Sequence, residues 1–167
     1  MNEYFIFSIQ QTLKKALFLL EKLNPSVYND ASIPPFYSSI GCHIRHILDF
    51  YTSIFKAELT GCIDLRDRLR ETKLEMDIVY AKEKIEEILK KLESYKVKNL
   101  KSNYELIDDL GSGKVTITTN LYATFMQANS HTIHHFAIIS QLLFAFGIAL
   151  EDTTFGYNPT SPINNKS

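Results

Sequence analysis

All five histidines of the chain fall in two short windows, His43 and His46 in GCHIRHIL and His131, His134 and His135 in NSHTIHHFAII. Imidazole exchanges protons near neutral pH and is the commonest metal ligand, so clustering of this residue type points to proton transfer or metal binding. In the second window a helical advance of about 100° per residue sets His131 and His135 about 40° apart, with His134 about 60° to the other side of His131. Ile138 and Leu142 share the direction of His131 and His135. Both imidazoles are therefore expected to face the interior one turn apart, which is how two nitrogens of one helix reach the same ion. By itself HxxxH on a helix is common, and a lone buried histidine is usually a hydrogen-bonded core residue. The first window shifts the balance, because two imidazoles from one helix and one from another make a three-nitrogen set with an open position for water or substrate. On the helical wheel His43 lies nearer the centre of the Ile40, Ile47, Phe50 and Ile54 face and His46 nearer its edge, where it can face a cleft. Spacing leaves both open as the third ligand.

Long helices must carry these windows. Ile6, Ile9, Leu13, Leu17, Leu20 and Leu23 recur at helical spacing until Asn24-Pro25 ends the run, and a second apolar-periodic segment extends from Phe36 to about Leu59, closed by Thr60-Gly61. Met76 to Tyr95 reads as an amphipathic surface helix, and Thr119 or Asn120 supplies an N-cap for a fourth helix through about Gly147. Asn103 to Ile107 and Lys114 to Thr118 flank Gly111-Ser112-Gly113, which predicts a small β-hairpin before the last helix. The expected fold is all-α, an antiparallel four-helix bundle forming one domain over residues 1–167, with an extended C-terminal tail over 148–167.

Composition sets the class. Of 167 residues, 45% are hydrophobic and 22% charged, with 6 Gly and 5 Pro, the profile of an ordinary globular domain. Lys plus Arg (18) nearly balance Asp plus Glu (19), so no sequence-wide basic field exists to hold nucleic acid or an anionic membrane. No apolar run is long enough to predict a membrane span, and the N-terminal stretch, with Glu3 where a signal peptide wants positive charge, does not read as one. Cys42 and Cys62 form no CxxC pair and read as structural thiols in a reducing compartment, so the expected address is the cytoplasm. Apolar surface on helix one would allow a homodimer.

Other candidates have bland readings beside the sharp ones. Arg66, Arg68 and Arg70 alternate in a linker that also holds Asp67, Glu71 and Glu75, which suits a solvated or mutually paired charge cluster. The sharper reading makes Arg68 and Arg70 an anion clamp at the mouth of a metal cleft, since guanidinium presents a planar donor fork to carboxylate or phosphate. Asp49 either orients an imidazole or faces water. Tyr51 and Tyr122 are weak candidates for proton donors among nine tyrosines. Gly111-Ser112-Gly113-Lys114 lacks the spacing of a phosphate loop and reads as a turn.

Taken together, SSIGCHIRHILDFY and the downstream SHTIHHFAIISQLL resemble the DinB and YfiT-like superfamily of four-helix-bundle metalloproteins, with Ser39 seven residues before His46 and then His131 and His135. The chain is similar in particular to a subgroup with GxHxRHxLDHF, an Arg-rich YDxRxRDxxxE connection, and HTxHHxA before FGxxPST. Gly41, His43, Arg45, His46, Leu48 and Asp49 fit the first motif, Arg68, Arg70 and Glu75 the second, and Phe155, Gly156, Pro159 and Thr160 the last. Phe50, Leu65, Arg66 and Glu71 depart from it.

The resemblance implies an up-down-down-up bundle, a divalent metal held by His46, His131 and His135, and a small-molecule substrate, with thiol-dependent S-transferases among the relatives. On this reading His43 and His134 are partners or alternative ligands. Three neutral imidazoles suit zinc, nickel, iron or copper, and the affinity order does not choose among them. The rival class is a non-catalytic, damage-inducible-like stress-response or scaffold bundle whose histidines hold a metal for stability.

Overall fold

A computed structural model describes residues 1–161. Six helices are found there: α1 (Asn2–Lys22), α2 (Pro25–Asn29), α3 (Ile40–Thr60), α4 (Thr72–Met76), α5 (Ile78–Glu93) and α6 (Leu121–Ala145), with three strands, β1 (Cys62–Asp64), β2 (Asn103–Asp109) and β3 (Lys114–Asn120). The expectation of an all-α fold is thereby corrected. The hairpin of β2 and β3 forms as the sequence suggested, but β1 adds to it in parallel, with Cys62 opposite Glu105 and Asp64 opposite Ile107, giving a mixed sheet ordered β1-β2-β3. A parallel partner comes from a distant part of the chain, so the pairing leaves no local turn signal.

The four long helices start and stop for local reasons. Ser39 caps α3 by accepting from the Cys42 N–H at 3.0 Å, and Gly61 ends it with φ 71°, a left-handed conformation that costs glycine nothing. Asp77 caps α5 through the N–H groups of Val79 and Tyr80, and Asn120 caps α6 through that of Ala123. The apolar stripe of α1, Ile6, Ile9, Leu13, Ala16 and Leu20, is buried together with Ile40, Ile44, Ile47 and Ile54 of α3 and Phe125, Phe136, Ile139 and Leu143 of α6. Tyr28 of α2 is fully buried and donates to the Leu74 carbonyl of α4 at 2.5 Å, tying the two short helices together.

Gly41 permits a close crossing. A Cβ there would lie 2.1 Å from the carbonyl oxygen of Glu75, so only glycine lets the end of α4 pass against the first turn of α3. The segment after α6 is also corrected over residues 148–161: it turns back against the helices in place of running extended. Phe155 is buried and stacks on Phe136 with ring centroids 4.3 Å apart, and Lys15 pairs with Asp152 at 2.9 Å. The remainder of the expected tail, 162–167, lies outside the described residues. On α1, Tyr4, Phe7 and Phe18 are exposed. Among the described residues no helix is long and apolar enough to cross a membrane.

Candidate metal centre

α3 and α6 pack together, and their facing sides carry the histidines. His46, His131 and His135 each offer a ring nitrogen within 4.8 Å of the others, close enough for the three to hold one metal ion. Their ring centroids lie 4.5 to 4.9 Å apart. Nitrogens about 2.0–2.1 Å from a tetrahedral zinc stand roughly 3.4 Å from one another, so small side-chain rotations close the set. His134 is exposed, and although its ring centroid lies 5.5 Å from that of His135, it is not one of the three residues whose nitrogens come together.

His43 is buried one turn before His46 and stands behind the set. Its Nδ1 lies 2.8 Å from Nδ1 of His135, and its Nε2 lies 2.9 Å from the Ser38 hydroxyl. The pair admits one arrangement that leaves His135 a free lone pair at Nε2: Nδ1–H of His135 donates to His43, and Nε2–H of His43 donates to Ser38. Both His43 and His135 are under a tenth exposed, so water does not compete for these contacts.

The sheet supplies the other side of the site. The Leu65 N–H donates to the Ile107 carbonyl at 2.9 Å, prolonging the β1-β2 pairing, and three residues later Arg68 turns inward. Its Nε donates to the Leu65 carbonyl at 2.8 Å and its Nη1 to Nδ1 of His46 at 2.9 Å. A cavity of about 120 Å³ opens beside His46 and His131, with Phe50, Arg68, Asp108 and Gln127 in its wall. A larger cavity of about 420 Å³ lies between α1 and residues 148–155 and contains no histidine. The chemistry is concentrated at the smaller one.

Burial keeps the imidazoles neutral. It pushes His46 down to about 4, helped by the charge of Arg68, and His135 down to about 3, helped by His131 and His46. His43 and His131 are lowered for the same reason, burial first and His134 second. A neutral imidazole has a lone pair available at pH 7, so a cation would displace no proton from the ligands.

The remaining candidates take other places. Asp49 is buried but orients no imidazole. It accepts from Arg45 Nη1 at 2.9 Å, and Arg45 Nε lies 2.6 Å from Glu75 Oε1, so the three form an ion-paired cluster bracing α3 on α4. Burial raises the Asp49 carboxyl and Arg45 opposes the rise. Arg70 is exposed with φ 47° and is absent from the cavity wall, so of the expected anion clamp only Arg68 is in position. Arg66 pairs with Asp64 at 2.8 Å. Tyr51 is fully buried against Thr132, Tyr122 bonds to Asn2, and neither lines the cavity. Gly111 and Gly113 occupy the turn of the hairpin with positive φ. Sequence reasoning missed Ser38, Asp108 and Gln127. Asp108 carries no local signal, since only the pairing of β2 with β1 places it here.

No protein family, curated protein or solved structure is matched by the chain.

Proposed function

We propose that this chain is a metal-dependent enzyme whose ion is held by His46, His131 and His135. The observation that carries the reading is the convergence of three neutral imidazoles beside a cavity, not in a sealed core. Bound there, a divalent ion supplies a positive charge that polarises a carbonyl or lowers the pKa of a coordinated water or thiol. The protein's own groups do the rest. His43 and Ser38 hold His135 in register, Phe50 excludes water from one wall, and Asp108 and Gln127 offer an acceptor and an amide to a small substrate. The motif resemblance to the DinB and YfiT-like superfamily supports the same ligand set and favours thiol transfer over hydrolysis, with zinc, nickel or iron as the ion. Both cysteines are free, which suits action in the reducing cytoplasm.

Metal analysis of purified protein tests the reading, with about one equivalent expected in wild type and loss in His46→Ala, His131→Ala and His135→Ala. Full occupancy in all three variants would refute the site. With cobalt substituted, the spectrum should respond to azide or a small thiol, whereas a spectrum indifferent to every added ligand would make the site structural and remove the enzymatic reading.

A further inference from the structure

The contact between Arg68 and His46 has the wrong polarity for a metal ligand. Guanidinium has donors only, so the 2.9 Å contact from Arg68 Nη1 makes Nδ1 of His46 an acceptor, and the proton of the neutral ring sits on Nε2. If Nδ1 is to bind the ion, Arg68 occupies its approach. If Nε2 is to bind it, the proton moves to Nδ1 and points at a donor, because a ligating imidazole keeps an N–H on its other nitrogen. Either way the hydrogen bond breaks. His135 differs, since its Nδ1 faces the imidazole of His43, which is able to accept.

We propose that Arg68 is an internal latch that competes with the metal for His46. This rests on the metal reading above and adds to it a definite cost and a moving part. The hinge is anchored, since the Leu65 N–H is tied to β2 and Arg68 Nε to the Leu65 carbonyl. The guanidinium is a rigid planar fork, so release turns the whole group and gives up its Leu65 contact while the backbone, tied to β2, stays in place. The cavity receiving it is already walled by Asp108, whose carboxylate suits a guanidinium, so the charge is not stranded. Because His46 cannot serve both cations, metal binding and the latched state exclude each other, and anything that draws Arg68 off His46 tightens the metal by the same factor.

The test compares wild type with Arg68→Met, which keeps an unbranched apolar stem and lacks the donors. Zinc affinity is measured by competition with a chromophoric chelator. Removing a hydrogen bond from a charged donor predicts tightening of about 10- to 100-fold in Arg68→Met. Nitrogen NMR of the metal-free protein gives an independent readout: His46 should carry its proton on Nε2 in wild type and redistribute it in Arg68→Met. Equal or weaker zinc affinity in Arg68→Met, or an Nδ1 proton on His46 in wild type, overturns the latch while leaving the metal site standing. Failure of every protein to bind zinc, nickel or iron overturns the metal reading and the latch with it.

Discussion

Removing the imidazole of His43 should weaken metal binding without removing a ligand. The Nδ1–H of His135 has one acceptor, Nδ1 of His43 at 2.8 Å, and the two rings are 8% and 9% exposed. In His43→Ala that buried donor is left without a partner, at a cost of about 1–3 kcal/mol, or roughly 5- to 150-fold. Loss of the group that orients a metal-binding histidine typically weakens the metal by about 10- to 100-fold. The two ranges overlap near 2 kcal/mol, so zinc affinity measured by chelator competition should fall about 30-fold.

A cavity left by the truncated side chain destabilises the protein whether or not metal is present, so urea unfolding of the metal-free variant separates that cost from the loss of orientation. His43→Asn places an acceptor oxygen near the position of Nδ1 and should recover most of the affinity. Zinc affinity within threefold of wild type in His43→Ala, or His43→Asn as weak as His43→Ala, would refute the argument.

Three other substitutions test how the frame holds the site. Burial alone would raise the Glu58 carboxyl, but hydrogen bonds from Lys98 and Lys91 override it and hold it down to about 2, below the ordinary 4.5. The stability this confers is present above about pH 4.5 and is lost as pH falls through about 2, so Glu58→Gln should cost about 1 kcal/mol at pH 7 and much less near pH 2. An equal loss at both pH values in urea titrations would exclude the ion pair as its source. Gly41→Ala places a Cβ against the Glu75 carbonyl and should destabilise by about 1–3 kcal/mol despite the higher helix propensity of alanine; a variant as stable as wild type in thermal unfolding would contradict the close crossing. Phe155→Ala removes the ring stacked on Phe136 and should cost about 3–5 kcal/mol and expose residues 148–161 to proteolysis, whereas a loss below about 1 kcal/mol would show that segment to be loosely held.

Periodicity made much of this legible. Apolar spacing located α1, α3, α5 and α6 because each buries a continuous stripe, and the glycine turn between β-branched runs located the hairpin. The HxxxH phase correctly grouped His131 with His135, since two residues on one helix need no tertiary information. His43 against His46 was not decidable from the wheel, because the centre of an apolar face and its edge differ only through what packs there. The structure puts His43 in the centre, as the wheel had it, and the edge residue His46 beside the cavity. Strand β1 left no mark, being three residues long and paired with a partner some forty residues away. Arg68 and Asp108 were consequently unreadable as neighbours, and Asp49 was open to reassignment because Arg45, one turn away, competes for it.

Among the described residues two largely buried polar clusters stand in contrast, which separates scaffold from site. In the cluster of Asp49, Arg45 and Glu75 each charge faces an opposite one, so the interactions close on themselves and brace α3 against α4. The histidine cluster has no such closure. Four imidazoles are brought together at a desolvation cost severe enough to drive two of them to about 4 and about 3, and the nearest fixed charge, Arg68, is positive. Apolar side chains would fill the same space between α3 and α6 without that cost, since the packing of neutral rings requires no imidazole. What the imidazoles add is three ring nitrogens within 4.8 Å of one another, bordered by a cavity at His46 and His131. A cation is the partner that makes use of all three at once, and the arginine bonded to His46 is a cation already occupying part of that place.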